Sequence, residues 1–297
     1  FNRVRRLAHG PRGVRRRAYV LIRQRTRRHT IFIAAPPKSG STWLTAIVAA
    51  LPGVVQLRPP EFGGRRELEL TDGRLTPTHL VGRHVLDCQH VRASEQTIVQ
   101  LARADARPIV LSRNIYDVLA SMYDHISGIR LGEQDPSMEP GHRWSMAFLT
   151  PAQWSGLGEA ERIRMLTRGF VPWYANFESS WNQWSSIVEE HDLRGTSWAP
   201  LHAPLHVRYE DLLTEPQRIL TTICDAIGLS LTEGERTAAL DAAGSADTRR
   251  NQARAGRGAD LLRRFPWIRD DVDVWRALDP ALRRSSAFTP PDSVPTS

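Results

Sequence analysis

The feature that most constrains the chain is a junction near its start. Residues 30–35 read Thr-Ile-Phe-Ile-Ala-Ala, short, apolar and partly β-branched, and Pro36-Pro37-Lys38-Ser39-Gly40 follow at once. Such a run reads as a buried strand entering a tight turn. Ser41 is placed to cap a helix, and Trp43, Leu44, Ile47, Val48 and Leu51 recur at helical spacing until Pro52-Gly53 stops them. A strand, a turn and a helix in this order aim the N–H groups of the turn and of the helix start at one place. That place is an anion cradle, to which Lys38 adds charge and Ser39, Ser41 and Thr42 add hydroxyls. It is not the standard NTP-binding loop, whose Lys follows the second Gly; here Lys38 precedes Gly40 and no residue is evidently positioned to hold Mg²⁺. Of the 40 basic residues, 39 are Arg and the one Lys is Lys38. A chain that uses Arg everywhere else points here to a site needing a compact ammonium rather than a planar fork.

Further strands are expected at His79–Val85, Pro108–Ser112 and Leu205–Tyr209, and helices near 94–102, 115–126 (capped by Asn114), 215–227 and 232–243. Alternation of this kind implies an α/β fold with a central, mostly parallel sheet; the expected plan is three layers, α/β/α, with helices on both faces, resembling the P-loop nucleotide-binding architecture. One domain is expected over 29–285, preceded by a basic segment, 1–28, and followed by a Pro/Ser/Thr-rich tail, 286–297, that should fray. Residues 128–168 mix Gly, Pro, Glu and Trp without a sustained period and read as a long loop or lid with short helices. From Phe170 to about Glu190, Trp173, Tyr174, Phe177, Trp181 and Trp184 return at three- or four-residue steps, which reads as the core stripe of a helix in preference to an acceptor wall.

Composition narrows the classes. With 297 residues, 41% hydrophobic and 24% charged, the chain has ordinary globular usage, and its apolar runs are too short to span a bilayer. The net charge of +8 suggests an anionic partner, but residues 1–28 contain eleven arginines and no acid. Removing those eleven leaves 29 basic residues against 32 acidic ones, a balance of −3 for the rest. Nucleic-acid binding by the folded body therefore loses its support, and the basic segment is expected to touch an anionic membrane surface if it touches anything. Cys88 and Cys224 stand far apart, which favours free thiols in a reducing, cytoplasmic setting, with membrane-peripheral attachment open. An acid-free, Arg-rich start is also shared by organelle transit segments, and with Phe as first residue a lost leader stays open.

Pro37-Lys38-Ser39-Gly40-Ser41-Thr42-Trp43 resembles the signature of sulfotransferases that use 3′-phosphoadenosine 5′-phosphosulfate (PAPS), in which this loop binds the 5′-phosphosulfate. A second segment, Val110-Leu111-Ser112-Arg113-Asn114-Ile115-Tyr116-Asp117-Val118-Leu119-Ala120-Ser121, resembles the family's strand-to-helix stretch that grips the 3′-phosphate through an Arg and, eight positions on, a Ser. Arg113 at the strand end and Ser121 two turns into the helix suit that task. His206 to Leu212, with Tyr209, is similar to a Tyr-Glu-Asp segment near the adenine, which Trp43 and Tyr209 would frame. Residues 249–258 resemble the family's glycine-rich basic loop. There Asn251-Gln252-Ala253 stands for the usual Arg-Lys-Gly while Gly256 fits, so the missing charge falls to Arg249, Arg250, Arg254 or Arg257.

The resemblance implies a general base at the end of the strand preceding the Arg113 strand. Cys88-Gln89-His90 is the best placed, with His84 and His79 as runners-up, and Cys88-x-His90 as a metal pair has no second ligand cluster. The implied activity is in-line sulfuryl transfer from PAPS to a hydroxyl of a carbohydrate, lipid or small molecule, with His90 as base, Lys38 on the leaving phosphate and no metal. The alternatives are a small-molecule or nucleotide kinase, which would need Mg²⁺, and a non-catalytic anion-binding module. Acceptor and oligomeric state are not legible at this level.

Overall fold

The computed structural model describes residues 28–57, 82–128, 151–193, 201–245, 257–275 and 280–291, together with 14, 18, 20–22, 70, 75, 76, 80 and 278. In chain order the elements are β1 (Thr30–Ala34), α1 (Ser41–Ala49), β2 (Val54–Gln56), β3 (His84–Gln89), α2 (Glu95–Arg103), β4 (Ala106–Ser112), α3 (Ile115–Gly128), α4 (Pro151–Gly156), α5 (Glu159–Asn182), α6 (Trp184–Glu190), β5 (Leu205–Arg208), α7 (Tyr209–Thr214), α8 (Pro216–Ile227), α9 (Glu233–Ser245) and α10 (Arg257–Arg264). A 3₁₀ turn, Pro266–Asp270, and two short helices, Val272–Trp275 and Pro280–Arg284, follow.

The chain divides into two compact units. The first holds Phe1–Pro59, Arg66–Ser112 and Ser179–Arg250, and within it the five strands form one parallel sheet in the order β2-β3-β1-β4-β5. Every residue of β1 is buried, as a central parallel strand covered on both faces must be. Ala34, its last residue, lies level with Gln89 of β3 and Val110 of β4. From β1 the chain goes to β2 and β3 on one side, then crosses to β4 and β5 on the other. Right-handed crossovers in opposite directions place α1 and α2 on opposite faces, which yields the three layers expected. The order reverses beside β1, and in open sheets of this kind ligands gather at the carboxyl ends of the strands where it does so.

Several boundaries differ from the sequence reading. The expected strand His79–Val85 is β3, from His84 to Gln89. Its period is masked because Asp87 and Gln89 are both buried and satisfy one another, Gln89 Nε2 donating to Asp87 Oδ2 at 2.7 Å. His79 lies outside the described residues. The three-residue strand β2 went unnoticed next to Pro52-Gly53. Part of the expected lid is regular: α5 begins at Glu159, eleven residues before Phe170, with Glu161 accepting the N–H of Gly158 at 2.9 Å and Ile163 and Leu166 buried. Residues 129–150 lie outside the described residues. The aromatic run breaks at Gln183 into α5 and α6, and Tyr174, Phe177, Trp181 and Trp184 are buried, as a core stripe requires.

The second unit comprises Pro60–Arg65, Arg113–Glu178 and Asn251–Ser297. Its core joins Ile115, Leu119 and Ile126 of α3 to Ile163, Leu166 and Tyr174 of α5 and Leu262 of α10. Part of the segment expected to fray is packed here. Phe288 is buried, the N–H of Ile115 donates to the Ala287 carbonyl at 2.8 Å, and Asn114 Nδ2 donates to the carbonyls of Ser286 at 3.3 Å and Thr289 at 2.8 Å.

At the start of α10, Gly258 approaches α3 closely, its N–H donating to Asp117 Oδ1 at 2.6 Å. A Cβ there would lie 2.8 Å from the Asp117 nitrogen and from the Tyr116 Cβ. Gly258→Ala should therefore destabilise the protein by about 1–3 kcal/mol through overpacking, read as a lowered midpoint in urea unfolding. An unchanged midpoint would mean that α10 is not held this closely.

Candidate functional site

The turn from β1 into α1 is built by two left-handed residues, Lys38 at φ 64° and Gly40 at φ 95°. For a lysine that conformation costs about 1–2 kcal/mol, the kind of strain retained where backbone shape serves a site. Ser39 closes the turn from inside: fully buried, it donates its hydroxyl to the Pro36 carbonyl at 2.7 Å and its N–H to the same oxygen at 3.3 Å. Gly40, not Ser41, is the N-cap. The cap must adopt a φ that a side chain resists, and its carbonyl accepts from Trp43 N at 3.0 Å and Leu44 N at 3.1 Å. Ser41 becomes the first helical residue and Thr42 the exposed second one. Neither N–H has a carbonyl one turn earlier in the helix, so both carry the positive end of α1.

Tyr209, the first residue of α7, presses on this turn. A Cβ on Gly40 would lie 2.3 and 2.4 Å from atoms of the Tyr209 ring. Trp43 meets the same ring edge-on, with centroids 6.3 Å apart and an interplanar angle of 79°. Both aromatics, expected beside the adenine, are 3% exposed and pack at the turn.

His90 follows β3 directly. Its Nδ1 lies 2.5 Å from the carbonyl oxygen of Ala35, the first residue of the loop, and the Ala35 N–H donates to the Gln89 carbonyl at 3.2 Å. A carbonyl only accepts, so Nδ1 carries the proton and Nε2 is the basic nitrogen of the neutral ring. His84, a runner-up as base, sits at the other end of the strand, about 20 Å away at the usual rise per residue. It is buried, and its Nδ1 accepts the His29 N–H at 3.1 Å while Arg28 Nη1 stands 3.0 Å from its Nε2. A buried ring whose Nδ1 is taken by a backbone N–H, at the opposite end of the strand, has no part in chemistry at the loop.

In the second unit Arg113 is 4% exposed and held by its own peptide groups. Its N–H donates to Tyr174 Oη at 3.0 Å, and that hydroxyl donates back to the Arg113 carbonyl. Asn114 caps α3, Oδ1 accepting Tyr116 N at 3.1 Å, and Ser121 is half-buried two turns on. Arg257 pairs with Asp124, and burial, followed by the nearby charge of Arg113, holds its guanidinium below the usual value. The carboxylates of Asp117 and Asp260 pull it the other way. Of the four arginines weighed for the missing charge, Arg257 is the described one and lies within electrostatic reach of Arg113; Arg249, Arg250, Asn251, Gln252, Arg254 and Gly256 lie outside the described residues. Sequence reading missed the Tyr174 clamp and the Asp117–Gly258 bond. The aromatic stripe contained the first, but spacing does not say which hydroxyl of a stripe meets a backbone.

If Tyr209 is what requires a glycine at position 40, Gly40→Ala should destabilise the protein by about 1–3 kcal/mol and Tyr209→Ala should lessen that effect in the double variant. Thermal or urea unfolding of the four-member cycle reads the coupling. Strict additivity would remove the contact between ring and turn.

The model of the sulfotransferase domain family matches residues 28–256. No curated protein matches the chain. Among solved structures, a mouse sulfotransferase complexed with PAP is similar at 18% identity and a TM-score of 0.46, over 72% of this chain and 64% of its own. A sulfotransferase from Alicyclobacillus acidocaldarius matches at 16% identity and TM-score 0.41, over 86% and 99%. A retinol dehydratase in complex with androsterone and inactive cofactor PAP matches at 12% and 0.37, over 84% and 81%. The family match begins just ahead of β1, takes in the Lys38 turn, His90, the Arg113 helix and Tyr209, and ends just before Arg257: the chain belongs to the sulfotransferase domain family, enzymes that pass a sulfuryl group to an acceptor.

Proposed function

We propose that the protein moves the sulfuryl group of PAPS onto a hydroxyl of a small-molecule, lipid or glycan acceptor. The observation that carries this reading is the His90–Ala35 hydrogen bond. It ties a basic nitrogen to the first residue of the Lys38 loop, so that a proton acceptor and an anion cradle are built as one piece. In the reaction the acceptor oxygen forms its bond to sulfur as the bond from sulfur to the 5′-phosphate oxygen breaks. The hydroxyl proton passes to His90 Nε2, and 3′-phosphoadenosine 5′-phosphate (PAP) departs. Lys38, with the N–H groups of Ser41 and Thr42 at the start of α1, stabilises the charge growing on the leaving phosphate.

Arg113, Ser121 and Arg257 are assigned to the 3′-phosphate. The like charges of Arg113 and Arg257 support this assignment, because an anion relieves their repulsion. Trp43 and Tyr209 act first on the loop, keeping Gly40 and Lys38 in the left-handed turn that aims the cradle.

His90→Ala should lower turnover by about 10²–10⁴-fold with little change in PAP affinity. Lys38→Ala should harm both, and Lys38→Arg nearly as much, since a planar fork does not follow charge onto the bridging oxygen as an ammonium does. Single-turnover transfer, with PAP binding followed by calorimetry, separates these effects. Normal turnover in the His90 variant would remove it as base, and normal turnover in the Lys38 variant would remove sulfuryl transfer at this loop.

The assignment of Arg257 has its own readout. Arg257→Ala should weaken PAP by about 1.5–3 kcal/mol, the worth of a hydrogen bond to a charged group, and leave adenosine 5′-phosphosulfate, which lacks the 3′-phosphate, unaffected. Equal losses for both nucleotides would place Arg257 elsewhere.

A further inference from the structure

Ahead of β1 the chain displays its apolar surface in an unusual way. Among the described residues the exposed large hydrophobic side chains are Val14 at 62%, Leu21 at 47% and Ile22 at 47%. All fall in one short stretch in which Val14, Ala18 and Val20–Ile22 are helical. Positions 14, 18, 21 and 22 follow the i, i+4, i+7, i+8 spacing of a single helix stripe. Val20, which that spacing sends to the far side of the helix, is 1% exposed. An apolar stripe at helical spacing normally turns inward in a globular domain; here Val14, Leu21 and Ile22 are exposed while Val20 is buried.

The stretch belongs to residues 1–28, which carry eleven arginines and no acid, while the rest of the chain is slightly acidic. An outward apolar stripe in a segment charged only positively has two demands: its side chains must leave water, and its cations must meet anions. An anionic bilayer surface meets both at once, taking the apolar side chains below the headgroups and the arginines among them. We propose that Val14, Leu21 and Ile22 dock the protein on an anionic phospholipid surface. This surface is independent of the sulfuryl-transfer reading.

The experiment is co-sedimentation of the full chain with vesicles of phosphatidylcholine alone and of phosphatidylcholine mixed with phosphatidylserine, at low and at high salt. Binding is expected to the mixed vesicles, to be at least about tenfold weaker to phosphatidylcholine alone, and to fall with salt. Leu21→Glu with Ile22→Glu should reduce binding by about tenfold or more at unchanged net arginine content. Leu21→Ser with Ile22→Ser is the milder pair if the first lowers the melting temperature. Undiminished vesicle binding by the serine pair would overturn the proposal, since charge alone would then suffice. So would failure to bind mixed vesicles, a preference for a soluble polyanion such as heparin over them, or a dimer in sedimentation equilibrium that the serine pair dissolves.

Discussion

The structure turns on one backbone constraint, the pair of left-handed residues between β1 and α1. A central parallel strand can hand its chain to a helix in many ways, but only a turn with positive φ at Lys38 and Gly40 directs the Lys38 side chain, the loop and the start of α1 as seen here. The strained lysine does not hold itself. Ser39 ties the turn to Pro36 from within, Tyr209 closes it from behind, and the burial of β1 makes its foundation rigid. Ser39 and β1 are local to the turn, but Tyr209 comes from 169 positions away, so the geometry of the cradle is a property of the first unit as well as of the local peptide.

His90 extends the same logic. The carbonyl of Ala35 is the last acceptor before the prolines, and giving it to an imidazole N–H fixes at once the tautomer, the ring orientation and the distance of the base from the loop. A histidine six residues earlier, His84, has the same chemistry and none of that geometry, because the strand separates the two by its full length. Position along β3, more than residue type, distinguishes a candidate base from a structural ring.

Arg113 shows a different economy. Its position is fixed through the backbone: the peptide on either side of its Cα is clamped by a single tyrosine hydroxyl. The segment is held by Tyr174, and the adjoining Asn114 is held by the carbonyls of Ser286 and Thr289, so a chain end that composition marks as loose contributes to the order of the first turn of α3.

Much was legible before the fold was known. The strand, turn and helix around Lys38, the parallel α/β plan and the Arg113 helix follow from local signals: apolar runs bounded by Pro and Gly, a cap at Asn114, and a lysine alone among arginines. The family resemblance put His90 at the end of a strand, whereas local spacing ended that strand at Val85, since Asp87 and Gln89 hide its apolar period by pairing with each other in the interior. Nor could it assign Gly40 as the cap, Tyr209 as the wall behind it, or Tyr174 as the clamp on Arg113. The amino-acid sequence determined which groups are available and the periodic elements that carry them, because propensity, capping and hydrophobic period act over a few residues. Which groups meet was decided by tertiary structure, because the partners of Ala35, Gly40, Arg113 and Asp117 lie 55, 169, 61 and 141 positions away and are joined only when the sheet and the helix core close.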